Sequence, residues 1–136
     1  MATIKTLYSG NLRTEATHLA SGNTIITDAP IDNNGKGEAF SPTDLTCASL
    51  GSCMMTLMGI VAEREGIELE GTRIEITKTM GANPRRISRV KVDFVLTSAD
   101  TLSDVQKEKL QRAAITCPVA LSLHPDIEQE VNFSWK

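Results

Sequence analysis

Apolar and polar residues alternate over residues 2–8, which are rich in β-formers, and this pattern predicts a strand. Two further short strands are predicted at residues 11–19 and 23–30, and Ser-Gly dipeptides at 9–10 and 21–22 separate the three segments. Alternation with turn residues between the runs predicts an antiparallel meander. Residues 31–40 are polar and rich in turn formers, so we expect a loop that leads to the first helix.

The pattern then changes to the helical period. Ser41 and Asp44 have the spacing of a capping box, and Pro42 suits the first helical turn. The segment after them is apolar on nearly every face, with helically spaced positions that include Leu50, Met54, Leu57, Met58 and Val61. Gly66 suits the end of this helix. A helix that is apolar all round is buried all round, so we expect a sheet on one side and a second chain on another.

The rest of the chain predicts a hairpin, two helices and a closing strand. In chain order these are residues 72–80, 87–97, 101–117, a short helix opened by Pro118, and 126–135. Thr101 or Ser103 caps the longer of the two helices. No repeat, low-complexity segment or linker interrupts the chain. The order β-β-β-α-β-β-α-(α)-β therefore predicts a single α+β domain over residues 1–136.

Composition and charge narrow the function classes. A chain of 136 residues is long enough to bury a core unaided. The net charge of −3 and the lack of a Lys/Arg run argue against nucleic acid or an anionic membrane as a partner. The N-terminus has no apolar run of signal-peptide length, and the longest apolar run, residues 54–62, is too short to span a bilayer. We therefore expect a soluble, cytoplasmic protein.

Three cysteines raise the question of thiol chemistry. An odd number does not make a disulfide framework, and a buried helical cysteine is by default a small hydrophobic residue. We expect this packing role for Cys47, because six helical residues separate it from Cys53 by about 240°. Cys117 directly precedes a helix-starting proline, so its sulfur would lie at a positive helix N-terminus, which stabilises a thiolate. Gly51 and Ser52 remove bulk beside Cys53 and open a path to its sulfur.

Different interpretations of these thiols are open at this point. The fold could bring Cys53 and Cys117 together as a redox pair, or each could only pack. A zinc site made by Cys47, Cys53, Cys117 and His124 is a third arrangement, but the spacing matches none of the usual zinc-ligand pairs. No glycine-rich phosphate loop is present either. We therefore predict no metal and no other cofactor.

Three segments resemble the OsmC/Ohr superfamily. SPTDLTCASLGSCMMTLMGIVAEREGI resembles its first-cysteine helix, in which a small polar residue, Pro and an acidic residue precede a small-residue-rich helix with Cys. ITCPVALSL resembles its second-cysteine segment, where Cys-Pro opens a helix, and NLRTEATHLASGNTIITDAP resembles its N-terminal strands, with an Arg in the first hairpin. The similarity covers essentially the whole chain. It is closer to the YhfA-like, general OsmC-related branch than to the organic-hydroperoxide-resistance branch.

The resemblance implies a fold, an activity and a set of site residues. The fold would be an intertwined homodimer, with antiparallel sheets wrapped around long central helices. The activity would be that of a thiol-dependent peroxidase acting on hydroperoxides, organic ones included, with Cys53 as peroxidatic nucleophile and Cys117 as resolving thiol. A dithiol reductant would then reopen the disulfide. Arg13 matches the hairpin Arg of the family, which holds the thiolate and polarises the peroxide.

The carboxylate that orients this Arg is where the chain departs from the hydroperoxide-resistance pattern. That pattern has Glu directly after the Pro, where this chain has Thr43, and Asp44 comes one residue later. Asp44 either orients Arg13 or caps the helix, and Glu38 in the preceding loop is a substitute. Arg13 itself is alternatively a solvated strand residue. Two alternatives to a peroxidase follow: a non-catalytic OsmC-fold binding or regulatory module, and a structural dimer whose cysteines only pack.

Overall fold

Strands and helices follow one another in the predicted order. The computed structural model describes all residues, Met1 to Lys136, which form two units, Met1–Thr46 and Cys47–Lys136. The strands are β1 (Ile4–Gly10), β2 (Arg13–His18), β3 (Thr24–Asp28), β4 (Arg73–Gly81), β5 (Arg86–Leu96) and β6 (Glu128–Trp135). The helices are α1 (Pro42–Glu65), α2 (Asp104–Ile115) and α3 (Pro118–Ser122), with short 3-10 turns at Ile31–Asn33 and Ala99–Thr101. The α+β class and the element order are confirmed, and the single domain over the whole chain stays a prediction.

In the first unit, β1, β2 and β3 form an antiparallel sheet in chain order. The last residue of β1, Gly10, and the two residues that follow it, Asn11 and Leu12, all have positive φ values and make a tight turn. Arg13 follows this turn directly. The register of β2 and β3 places Arg13 opposite Asp28 and Thr17 opposite Thr24. The sheet therefore brings the first residue of β2 beside the last residue of β3.

A capping box begins α1, as the sequence predicts. The Ser41 Oγ accepts the Asp44 N–H at 3.0 Å, and the Asp44 carboxylate accepts the Ser41 N–H at 3.0 Å. Gly66, with a φ of 67°, directly follows the last helical residue. One face of α1 is buried in the single chain, and it consists of Cys47, Leu50, Gly51, Met54, Met58 and Ala62. The second chain expected to cover the remaining faces stays a prediction.

The apolar run at residues 54–62 is part of a longer helix. This helix, α1, has 24 residues and is, by length and composition alone, apolar enough to cross a bilayer. Core helices of soluble proteins pass the same test. The buried face of α1 lies in the apolar core of the second unit, so we interpret α1 as a core helix.

In the second unit, helices pack on a mixed sheet whose central strand is β5. It pairs antiparallel with β4 and parallel with β6, a parallel pairing that the sequence pattern did not predict. Alternate residues of β5 are at most 1% exposed and belong to the core: Val90, Val92, Phe94 and Leu96. Gly51 lets α1 lie close to β4, because a Cβ at this position would come within 2.5 Å of the Ile76 side chain. This packing places the middle of α1, and with it Cys53, against the core.

Candidate functional site

Two cysteines that are distant in sequence meet in the second unit. Cys53 lies in the middle of α1 and is partly exposed, whereas Cys117 lies directly before α3 and is fully buried. Their side chains lie close enough for Cys53 to raise the pKa of Cys117, and both are free thiols. We call Cys53 and Cys117 the thiol pair. The structure therefore brings together the two thiols that the sequence singled out.

The N-terminus of α3 positions the Cys117 sulfur. Cys117 is the N-cap of this helix, with Pro118 as its first residue, and its Sγ accepts the Ala120 N–H at 3.4 Å. This is the environment that the sequence predicts from the Cys-Pro dipeptide. The backbone N–H groups of Ala120 and Val119 lower the pKa of the thiol. The N-terminus of α3 thus favours the thiolate form of Cys117, as expected.

The effect of burial on the pKa of Cys117 is nevertheless larger than that of the helix N-terminus, and the pKa is raised. The hydrogen bond with Cys53 and the charge of a Cys53 thiolate raise this pKa further. The helix N-terminus favours the thiolate, as the sequence predicts, but desolvation of the charged form has the larger effect. At neutral pH Cys117 is therefore a protonated thiol.

The third cysteine lies in the core. Cys47 is 3% exposed and belongs to the apolar cluster of the second unit, in agreement with its predicted packing role. The structure contains no group of three or more His, Cys, Asp or Glu side chains arranged to hold a metal ion. The zinc arrangement with His124 considered from the sequence is therefore not formed.

The first unit holds a second constellation, which we call the charged cluster: Arg13, Asp28 and Glu38. The Arg13 Nε donates to Asp28 Oδ1 at 2.7 Å, and its Nη2 donates to Asp28 Oδ2 at 2.8 Å. The same Nη2 lies 3.4 Å from Glu38 Oε1. The Arg13 side chain is 33% exposed and that of Asp28 1% exposed. Arg13 is therefore partly buried in a bidentate ion pair.

Each member of this ion pair holds the other in its charged form. The Arg13 guanidinium, chiefly through its hydrogen bond, keeps the pKa of the Asp28 carboxyl below its usual value. Asp28 in turn raises the pKa of Arg13. Asp28 also accepts the Glu38 N–H at 3.1 Å, so the buried carboxylate has more than one donor. The pair is therefore fully charged at neutral pH.

Asp28 was not predicted from the sequence as a site residue. The partner of Arg13 was expected at the start of α1, where Asp44 completes the capping box with Ser41. The orienting role that the resemblance gives to Asp44 stays a prediction. Glu38 does reach Arg13, through one 3.4 Å contact. The hairpin register could have identified Asp28. Pairing the two strands outward from the turn after His18 places Arg13 opposite Asp28.

Comparisons with known proteins support the sequence resemblance. Residues 35–132 match the model of the family described as OsmC-like protein. No curated protein matches the chain. A solved structure from Psychrobacter arcticus 273-4, provisionally described as an osmotic stress induced and detoxification response protein, is 52% identical. That match covers 98% of this chain and 96% of the other, with a TM-score of 0.93.

More distant structures share the fold. An organic hydroperoxide resistance protein OsmC from Legionella pneumophila is 19% identical, with 96% of this chain and 94% of that one covered and a TM-score of 0.74. An organic hydroperoxide resistance protein from Elizabethkingia anophelis is 15% identical, with 100% and 98% covered and a TM-score of 0.75. The family match and the 52% identity agree with the three segments that suggested the OsmC/Ohr superfamily. The chain therefore belongs to the family of OsmC-like proteins.

Proposed function

We propose that this protein is a thiol-dependent peroxidase that reduces hydroperoxides, organic ones included, through a two-cysteine cycle. The observation that carries the proposal is the close approach of Cys53 and Cys117 in the second unit, since a disulfide cycle requires two sulfurs within reach of each other. The organic hydroperoxide resistance proteins that share this fold point to the same chemistry.

In the first step the Cys53 thiolate attacks one oxygen of the hydroperoxide. A sulfur–oxygen bond forms, the oxygen–oxygen bond breaks, and the alkoxide leaves and takes a proton from solvent to become an alcohol. The sulfur is oxidised to sulfenic acid and the peroxide is reduced. Cys53 suits this step because it is partly exposed, whereas its neighbour Cys117 is fully buried.

In the second step Cys117 condenses with the sulfenic acid. A sulfur–sulfur bond forms, the sulfur–oxygen bond breaks, and the hydroxide takes the Cys117 proton and leaves as water. Burial and the raised pKa keep Cys117 protonated until then, which reserves the attack on peroxide for Cys53. A dithiol reductant then reopens the disulfide by thiol exchange and is oxidised in turn.

The proposal gives Arg13 the role that the family resemblance implies: it holds the Cys53 thiolate and polarises the peroxide. An opposite charge close to a thiol favours its anion. The Arg13 guanidinium suits this role because it is charged, half-buried and held by Asp28 in one orientation.

We also propose that the protein is a cytoplasmic homodimer. The single chain leaves many large apolar side chains exposed, and in soluble proteins such side chains are often covered by a second chain. The exposed residues include Ile4, Leu7, Tyr8, Ile25, Ile26 and Ile60, on the first sheet and on α1. Free cysteines suit a reducing compartment. Nucleic acid and membrane are not partners in this proposal.

Peroxide turnover tests the proposal. We expect the purified protein to consume cumene hydroperoxide when dithiothreitol is present, and Cys53→Ser to lower consumption to the background rate. Cys47→Ser is the matched control, because it removes a buried thiol outside the pair, and it should retain activity. A Cys53→Ser variant with full activity would show that the assignment is wrong. A wild-type protein that binds hydroperoxide without consuming it would instead favour the binding or regulatory module.

A further inference from the structure

Arg13 and Asp28 are fixed by the same backbone network. They are directly paired residues of β2 and β3. The Ala29 N–H, next to Asp28, donates to the carbonyl of Leu12, next to Arg13, at 3.0 Å. This bond ties the tight turn before β2 to the end of β3. The backbones of the two residues are therefore held at a fixed separation. Forming the contact between their side chains costs little additional conformational entropy.

Asp28 is held more firmly than a surface carboxylate. Its backbone N–H donates to the Phe40 carbonyl at 3.0 Å, and its Oδ2 accepts the Glu38 N–H at 3.1 Å. The loop before α1 is thus hydrogen-bonded to both the backbone and the side chain of Asp28. A buried carboxylate is tolerated because Arg13 and this N–H group supply charge and donors. The Asp28 carboxylate is therefore a fixed point within the first unit.

The geometry of the ion pair leaves one end of the guanidinium outside it. Asp28 engages Nε and Nη2, and Glu38 engages Nη2 as well, so none of these contacts uses Nη1. Two parallel hydrogen bonds fix the plane and the direction of a guanidinium, which a single contact does not. The pair clamps one edge of Arg13 and directs the Nη1 amino group away from the carboxylate.

Neither of the two carboxylates considered from the sequence has this geometry. Glu38 is 63% exposed and makes one 3.4 Å contact with Arg13, which is too long to fix an orientation. Asp44 accepts the N–H of Ser41, three residues before it, as half of the capping box. A carboxylate engaged in this local motif is set by the helix start and not by the position of Arg13.

We propose that Asp28 is the positioning residue for Arg13 in the peroxidase reaction. The inference rests on the proposed function, in which the Arg13 guanidinium acts on the thiolate and the peroxide. Asp28 touches neither sulfur nor substrate in this account and acts only through Arg13. Because small displacements of a reacting group cost up to about a hundredfold in rate, Asp28→Asn should lower kcat/KM for hydroperoxide by about ten- to a hundredfold.

A double-mutant cycle separates a positioning role from a merely structural one. Asp28→Asn should lower kcat/KM strongly in the wild-type background and have almost no effect in an Arg13→Ala background, because Asp28 acts through Arg13. Far-UV circular dichroism, measured alongside, reports whether the helices are intact. Asp93→Asn is the matched control: it also removes a carboxylate with a lowered pKa from a strand, and it should leave kcat/KM unchanged.

Two further variants keep the test decisive. If Asp28→Asn fails to fold, Arg13→Lys replaces it, since Lys keeps the charge but cannot make the bidentate contact, and it should lose as much activity. Asp44→Asn tests the competing carboxylate and should lose less than Asp28→Asn. Equal effects of Asp28→Asn with and without Arg13, or an active Asp28→Asn within twofold of wild type, would overturn this inference alone. A wild-type protein without peroxide turnover would overturn the proposed function and this inference with it.

Discussion

The thiol pair and the charged cluster are held together by different kinds of contact. Cys53 and Cys117 meet because α1 and the start of α3 share the apolar core of the second unit. Arg13 and Asp28 meet because two neighbouring strands pair in register. Burial consequently raises the pKa of Cys117, while the hydrogen bond from Arg13 lowers the pKa of Asp28. At neutral pH Cys117 of the thiol pair is therefore protonated, whereas Arg13 and Asp28 of the charged cluster are both charged.

The largest expected effect separates the two members of the thiol pair. In Cys117→Ser the first oxidation proceeds, but no thiol condenses with the sulfenic acid on Cys53. We therefore expect dimedone to label Cys53 after one equivalent of peroxide, and excess peroxide to oxidise it irreversibly. Mass spectrometry of the labelled peptides measures both. A Cys117→Ser variant as resistant to over-oxidation as wild type would contradict the resolving role.

The next effect tests whether the thiol pair depends on the core. Met54 lies beside Cys53 and is fully buried. Met54→Ala should lower the free energy of unfolding by about 2–5 kcal/mol through the cavity it leaves, and should make Cys117 react faster with Ellman's reagent. Val105→Ala, at an exposed position of α2, is the control and should change stability by less than about 0.5 kcal/mol. If Met54→Ala and Val105→Ala lowered the free energy of unfolding in urea by equal amounts, this would contradict the burial of Met54 in the core.

These two regions also differ in how far sequence predicted them. The capping box at Ser41 follows from local spacing alone, and the structure has it. Cys53 and Cys117 were singled out by the resemblance and the Cys-Pro dipeptide. Asp28 was missed because its partner lies across a hairpin, and strand register was not followed from the turn. The raised pKa of Cys117 was not predicted, because the degree of burial depends on the whole core, which no local pattern contains.

A smaller effect tests whether the start of α1 has only a capping role. Ser41 is buried and its Oγ accepts the Asp44 N–H. Ser41→Ala should lower the free energy of unfolding by about 1 kcal/mol and leave kcat/KM of the folded protein within about twofold. Ser103→Ala, which removes the same motif from α2, should cost a similar amount of stability. A large loss of kcat/KM in Ser41→Ala would place the capping box in the catalytic site.

The smallest effect is the pH dependence that follows from the buried thiol. A group with a raised folded-state pKa stabilises the protein below its unfolded pKa, about 8.5 for Cys, and this contribution is lost as pH rises through the folded pKa. Because the pKa of Cys117 is raised, the stability of reduced wild type relative to Cys117→Ala should fall above about pH 8.5. Urea unfolding at pH 7, 9 and 10 measures this difference. A difference that grows with pH would contradict the protonated thiol.

Disulfide mapping after a single turnover tests the central claim most directly. Reduced wild-type protein is mixed with one equivalent of cumene hydroperoxide without reductant, alkylated, digested and analysed by mass spectrometry. We predict one linked peptide pair that joins Cys53 to Cys117, with Cys47 alkylated as a free thiol. Three alkylated cysteines after the peroxide is consumed, or a disulfide that contains Cys47, would contradict the two-cysteine cycle.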